Sequence, residues 1–393
     1  MKLFAELSYR WLLWQWKRRE RKRRKANASI GNLPAAFRQL ANANIPYAIL
    51  RWYDELPLDG PDVERTFSGD LDILVASEAL EDFCRVVSQC RGPLKIDLFS
   101  TGIRLGSDYR RMPYYPPVLG EELLRHCMTA SAGYRRPAPR YALLSFVYHA
   151  VYHKGAASGL PSGLEHWQNS ETAKHDYAQE MRRLAAEANL SLPDNLTLLS
   201  LHQWLQTQQW AMPYDLIPRW PVRNRWHDEL MHHEETLKRQ QLGSLHDLLV
   251  FLVREDAVKA NAEETIRQRL SEKFTILDVV RLTDEQQQRV IRHTRGGDWT
   301  RHKSVQMVLP VTAIICHDPH PQPVDQNSKL AAVHTNVTNQ NVFYKHELRA
   351  YLADLYPNAI NFMHGSDNDL ESLVYIQAIY GNDWQNHTSA WHL

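Results

Sequence analysis

At 393 residues the chain is longer than one compact domain usually is, and with 44% hydrophobic against 23% charged residues it can build real cores, so two or three globular domains are expected. A formal net charge of +1 argues against a whole-surface electrostatic partner such as bulk nucleic acid. The four cysteines (Cys84, Cys90, Cys127, Cys316) form no Cys-x-x-Cys pair, which speaks against a zinc ribbon or a disulfide framework and for free thiols in a reducing compartment.

In chain order, residues 1–27 form a basic, Trp-rich segment in which Trp11, Leu12, Leu13, Trp14 and Trp16 precede a dense Arg/Lys run. Rings beside cations suit the interface of a membrane, and suit equally a helix that packs its Trp face on the protein and leaves a solvated basic end. The chain has no apolar run long enough to span a bilayer and its start lacks a secretory pattern. The expected location is therefore the cytoplasm, with a peripheral contact at the inner face of the membrane as the membrane reading of this segment.

Residues 28–120 then read as an α/β domain. A helix over 32–43 leads to a strand at 47–51, a Pro/Gly/Asp loop at 54–68, a strand at 71–75, a helix at 77–90 and a strand at 94–99. Residues 121–242 read as helical, interrupted near 155–164 and 213–221 by Gly and Pro. A third unit, 243–388, alternates strands and helices, with a loop at 318–326. The fold class is thus α/β and α+β multidomain, with no internal repeat.

Two constellations carry chemistry. The first is Asp70-Leu71-Asp72 at the start of a strand, where alternation puts both carboxylates on one face, joined by Asp97 on a later strand. Three converging carboxylates can hold divalent metal for phosphoryl-type transfer. With Ser68-Gly69 before it, this pattern resembles the nucleotidyltransferase superfamily, although Leu50-Arg51 stands where that family has its Gly-Ser turn. A cluster at Tyr152-His153-Lys154-Gly155 and Ser158-Gly159-Leu160-Pro161 reads either as part of a substrate pocket or as an ordinary helix end.

The second is Asn361-Phe362-Met363-His364-Gly365-Ser366-Asp367. A histidine at the end of a short apolar segment, with Gly365 for a sharp turn and Ser366 and Asp367 as helix caps, is placed to meet a phosphate. This string, with Leu249 to Val258 as an opening strand, a helix over Glu263 to Ser271, and strands at Phe274–Val280 and Val308–Cys316, resembles the nucleoside diphosphate kinase family over residues 245–385. The resemblance implies a ferredoxin-like domain and a phosphohistidine at His364. That histidine would carry a γ-phosphate from ATP or another nucleoside triphosphate to a diphosphate, with Mg²⁺ bridging the phosphates. It also implies assembly into a homo-oligomer. Residue by residue, Asn361 matches the asparagine on the sugar, and Arg349, Lys329 and Thr335 the phosphate-binding segment. Arg254 matches the lysine beside the γ-phosphate, and Trp299 lies near the base-stacking Phe, where a buried core role is the alternative. The sequence departs from the family at Ile360, which replaces an arginine, and by one extra residue after His364. That insertion displaces the glutamate that orients the histidine and leaves Gln377 as the expected substitute. Two functions follow: a phosphotransferase fused to a nucleotidyltransferase-like domain, or a nucleotide-sensing domain that regulates it.

Overall fold

A computed structural model of the chain describes Leu7, residues 9–11 and 14, 27–67, 69–102, 112–221, 223–300, 306–325, 327–334, 336–357, 359 and 361–391. The chain is mixed α/β and divides into two compact units, Met1–Met212 with Arg219–Glu229, and Pro213–Pro218 with Leu230–Leu393. Residues on both sides of position 120 belong to the first unit, whereas position 242 lies within the second. Among the described residues no helix is long and apolar enough to cross a membrane. Of the N-terminal segment, Leu7, Trp11 and Trp14 are exposed and Tyr9 is buried beneath the Arg85 guanidinium.

The first unit contains a four-stranded sheet in the order β1-β4-β3-β2, formed by β1 (Asn27–Ile30), β2 (Tyr47–Ile49), β3 (Asp70–Val75) and β4 (Leu94–Ser100). Strands β3 and β4 are parallel, and the two outer pairings are antiparallel. Helix α1 (Leu33–Asn42) buries Leu33, Ala36, Phe37 and Leu40, the spacing of one helical face. The segment expected as a loop at 54–68 contains a short helix, α2 (Pro61–Thr66). Its Glu64, only 2% exposed, accepts the Asn32 and Leu33 amides at the start of α1, so a long-range contact and not local propensity fixes this turn. Gly31 and Gly92 allow the β1 and β4 ends to meet, since a Cβ on Gly92 would stand 2.3 Å from Gly31 Cα.

Helix α3 (Leu80–Gln89) covers this sheet, and the same unit continues with α4 (Pro117–Arg125), a small hairpin β5 (Cys127–Thr129) and β6 (Arg135–Pro137), and helices α5 (Pro139–Tyr148), α6 (Tyr177–Ala188) and α7 (Leu198–Thr207). Tyr134, just before β6, joins the core under β1–β4 and packs its ring on Phe37. This contact shows why residues 121–212 are not a separate body.

Helix α8 (Arg225–Leu242) leads into the second unit. There β7 (Leu248–Arg254), β8 (Thr275–Arg281), β9 (Pro310–His317) and β10 (Met363–Gly365) form a wholly antiparallel sheet in the order β10-β7-β9-β8. Every residue of β7 is buried, as its unbroken apolar run and central place require. Helices α9 (Glu255–Lys259), α10 (Glu263–Ser271), α11 (Asp284–His293), α12 (Lys329–Val333), α13 (Tyr344–Leu355), α14 (Asp369–Tyr380) and α15 (Trp384–Thr388) complete the unit. Thr283 and Gln286 close a reciprocal cap on α11, and Asn368 caps α14 by accepting the Glu371 amide. Ser366 and Asp367, expected as caps, do other work described below.

Candidate active site

His364 stands in the middle of β10, paired with Leu252 of β7. Its neighbours Met363 and Gly365 face the core, and alternation turns the imidazole to the other side, where it is half-buried. Gly365 is needed for space and not for a turn, because a Cβ there would lie 3.0 Å from the Phe251 ring. Ser366 Oγ accepts the Val250 amide and pairs with Ser372 Oγ at 2.8 Å, which stitches the segment after the histidine to β7 and α14.

The orienting group is Tyr375, on the second turn of α14. Its hydroxyl lies 2.8 Å from His364 Nε2 and donates to Glu371 Oε1 at 2.7 Å. With the Glu371 carboxylate ionised, the one phenol hydrogen is committed to it, so toward the imidazole the Tyr375 oxygen accepts and Nε2 is the protonated nitrogen. The lone pair then falls on Nδ1. Gln377, the expected substitute for the missing glutamate, is not involved: its amide bonds Gln241 and Lys238. Burial, then the Asp367 carboxylate, raises the Glu371 pKa, and burial, then Glu371, holds the Tyr375 phenol well above its ordinary value.

Cations surround this group. Lys345, 3% exposed, donates to the Gly365 and Ser366 carbonyls and pairs with Asp367, so it clamps the two residues after the histidine. Arg349 Nε donates to the Met363 carbonyl at 3.1 Å. Arg254, also 3% exposed, donates to the carbonyls of Val308 (2.9 Å) and Trp299 (2.8 Å), and its Nη1 lies 3.4 Å from Asn361 Oδ1. Burial and then Arg295 pull the Arg254 pKa down to about 9, still protonated at neutral pH, and the same two causes lower that of Arg349. Asp256, Asp298 and Asp367 oppose this without cancelling it.

The structure therefore gathers His364, Asn361, Arg254, Arg349 and Trp299, but not in all the expected roles. Trp299 is fully buried, with Arg254 and Arg295 over its ring and the His364 ring nearly perpendicular to it at 6.0 Å between centroids, so it offers no face for a base to stack on. Its indole N–H is buried with no hydrogen-bond partner. Arg254 is committed to the backbone carbonyls of Trp299, Thr300 and Val308. Lys329 is exposed at the start of α12, and Thr335 and Ile360 lie outside the described residues. Sequence reasoning missed Tyr375, Glu371, Lys345 and Arg295. The Glu371–Tyr375 spacing of four on one helix was the available signal for the first two.

In the first unit Asp72 and Asp97 are register partners across the parallel pair β3–β4, and Asp70 pairs with Lys95. The carboxylates are nonetheless spoken for. Arg51 Nη2 lies 2.8 Å from Asp72 Oδ2, and Lys95 Nζ lies 2.8 Å from Asp70 Oδ2. Burial disfavours the Arg51 charge, but Asp72 beside it overrides this and raises its pKa. Side-chain cations thus pair with two of the three acids expected to hold Mg²⁺, and among the described residues Asp70, Asp72 and Asp97 do not close into a group of three ligand atoms. The cation on Asp72 is the Arg51 that stands where a Gly-Ser turn was expected. The segment around Tyr152 is a helix end: α5 continues as a π-helical stretch over His149–Lys154, Gly155 stops it at φ 55°, and a short turn to Ser158 closes on Gly159 in the left-handed region. Within it Tyr152 bonds His202, and His149 lies between the Tyr114 and Tyr177 hydroxyls.

No family model matches the chain, and neither a curated protein nor a solved structure matches it.

Proposed function

We propose that the second unit is a phosphotransferase of the nucleoside diphosphate kinase kind, with His364 as the group that carries phosphate between nucleotides. The observation that carries this reading is the relay His364 Nε2–H, Tyr375 O–H, Glu371 carboxylate. It fixes the imidazole in the tautomer whose Nδ1 is nucleophilic. Attack of Nδ1 on a γ-phosphorus forms the N–P bond as the bridging P–O bond breaks, and the nucleoside diphosphate leaves with that electron pair. The ring becomes cationic, and the relay passes that charge toward Glu371. A second diphosphate then takes the phosphoryl group by the reverse step.

Three further features support it. The sheet order, fourth-first-third-second in the unit's own numbering with every pair antiparallel, is that of a ferredoxin-like β-α-β-β-α-β domain. Arg254, Arg295 and Arg349 lie close enough that Arg295 lowers the pKa of the other two, a gathering of guanidiniums of the kind a polyphosphate site uses. The Trp299 N–H, buried without a hydrogen-bond partner, is an unused donor on a ring that packs against His364. Mg²⁺ enters this account with the nucleotide, bridging its phosphates. ATP incubated with the protein and GDP is expected to yield GTP with parallel-line, ping-pong kinetics; intersecting lines, or no GTP, would remove the shared phosphoenzyme.

Tyr375→Phe is the sharpest probe of the relay. Loss of the hydroxyl is expected to lower the rate of exchange about 10²-fold, in the range of general acid–base and orienting groups, with nucleotide affinity little changed. An unchanged rate would show that the phenol is only a packing group.

A further inference from the structure

We infer that the second unit carries a transition-metal site, built by His246, Asp247 and His317 and suited to Zn²⁺. One ligand atom from each of these residues lies within 4.8 Å of the other two, and His246 Nδ1 is 2.9 Å from Asp247 Oδ2. Metal–ligand bonds of 2.0–2.2 Å in a tetrahedron place neighbouring ligand atoms about 3.3 Å apart, so the first pair already stands near the required spacing. The His246 and His317 rings lie 5.7 Å apart at 64°. The other two distances in the group are no longer than 4.8 Å.

The backbone under these ligands is fixed. His317 ends β9 and pairs with both Leu248 of β7 and Thr275 of β8. Asp247 accepts the Asp318 amide at its carbonyl (2.9 Å) and holds a left-handed backbone at φ 53°, an uncommon geometry for a residue other than Gly or Asn. The next residue, Leu248, donates its amide to the Asp369 carboxylate at 2.7 Å. The chain is therefore turned and pinned at the point where two of the three ligands leave it.

Donor type selects the ion. Two imidazoles and one carboxylate suit zinc or its neighbours, whereas Mg²⁺ and Ca²⁺ prefer all-oxygen sets. Three protein ligands leave a fourth position to water or a substrate atom. The group lies at the start of β7, and His364 pairs with Leu252 four residues along that strand, about 13 Å away. The site therefore stands independently of the phosphotransfer reading.

Metal-free full-length protein titrated with Zn²⁺ by calorimetry tests this. A one-to-one component is expected that His246→Ala and His317→Ala each weaken at least about tenfold, the lower limit found even for groups behind direct ligands. Mg²⁺ in excess should not displace it, and His387→Ala, a histidine stacked on Tyr380, should leave it intact. His246 is 61% exposed, so its variant should keep the fold, with circular dichroism of the apo protein as the check. Equal Zn²⁺ affinity in wild type and in both ligand variants would overturn the site, as would displacement by Mg²⁺.

Discussion

Exchange of His364 for Ala is expected to abolish phosphoryl exchange, lowering its rate by at least about 10⁴-fold, the scale of losing a covalent nucleophile. The chemistry has no second route in this site. Tyr375, the neighbouring hydroxyl, is fully buried and held far above its ordinary pKa by burial and by Glu371, which makes it a poor nucleophile at neutral pH. Stability should change little. The imidazole is half-buried, and loss of its hydrogen bond to Tyr375 costs on the order of 1 kcal/mol. Rate and thermal midpoint measured side by side separate the two effects. A variant that unfolds, or one that keeps more than a few per cent of the exchange rate, would each contradict the role assigned to this residue.

The second large effect concerns Lys345. Its side chain is 4% exposed and its partner Asp367 14% exposed, so the pair is held in low dielectric, where removing one member leaves an uncompensated charge. Burial lowers the Lys345 pKa, and Asp367 works against that. Lys345→Met is expected to destabilise the protein by about 3–5 kcal/mol, the usual result of breaking a buried pair from one side. The loss should come with reduced exchange, because the same ammonium holds the Gly365 and Ser366 carbonyls directly after the histidine. Adding Asp367→Asn to Lys345→Met should recover part of the stability, since the stranded carboxylate is then gone. Denaturant unfolding of the three variants gives the coupling; strictly additive losses would mean that the pair is not a unit.

Much of the second unit was legible in the sequence because its signals are local. The apolar run of β7 and the helix at Glu263–Ser271 follow from pattern alone. The departure after His364 from the pattern the sequence resembles was also visible, but which side chain would meet the imidazole was not. Which side chain reaches the imidazole depends on how α14 is rotated, and three-dimensional packing chose Tyr375 over Gln377. Trp299 illustrates the same limit. Proximity to a stacking position says nothing about exposure, and two guanidiniums close over the indole. In the first unit the Asp70–Asp72 face was read correctly as a face, and β4 does bring Asp97 beside Asp72. Lys95 reaches Asp70 from β4 and Arg51 reaches Asp72 from the bend after β2, a long-range pairing that a window of sequence does not contain. β1 escaped notice for a simpler reason: four residues of mixed character after a basic run carry too little periodicity to register.

The phosphoenzyme itself is the most direct test. Full-length protein incubated with γ-labelled ATP and Mg²⁺, then denatured, should retain label that is lost in acid and survives base, in an amount approaching one phosphate per chain, and GDP added before denaturation should discharge it. Absence of label in the wild-type protein, or label that survives acid, would contradict phosphate transfer through His364.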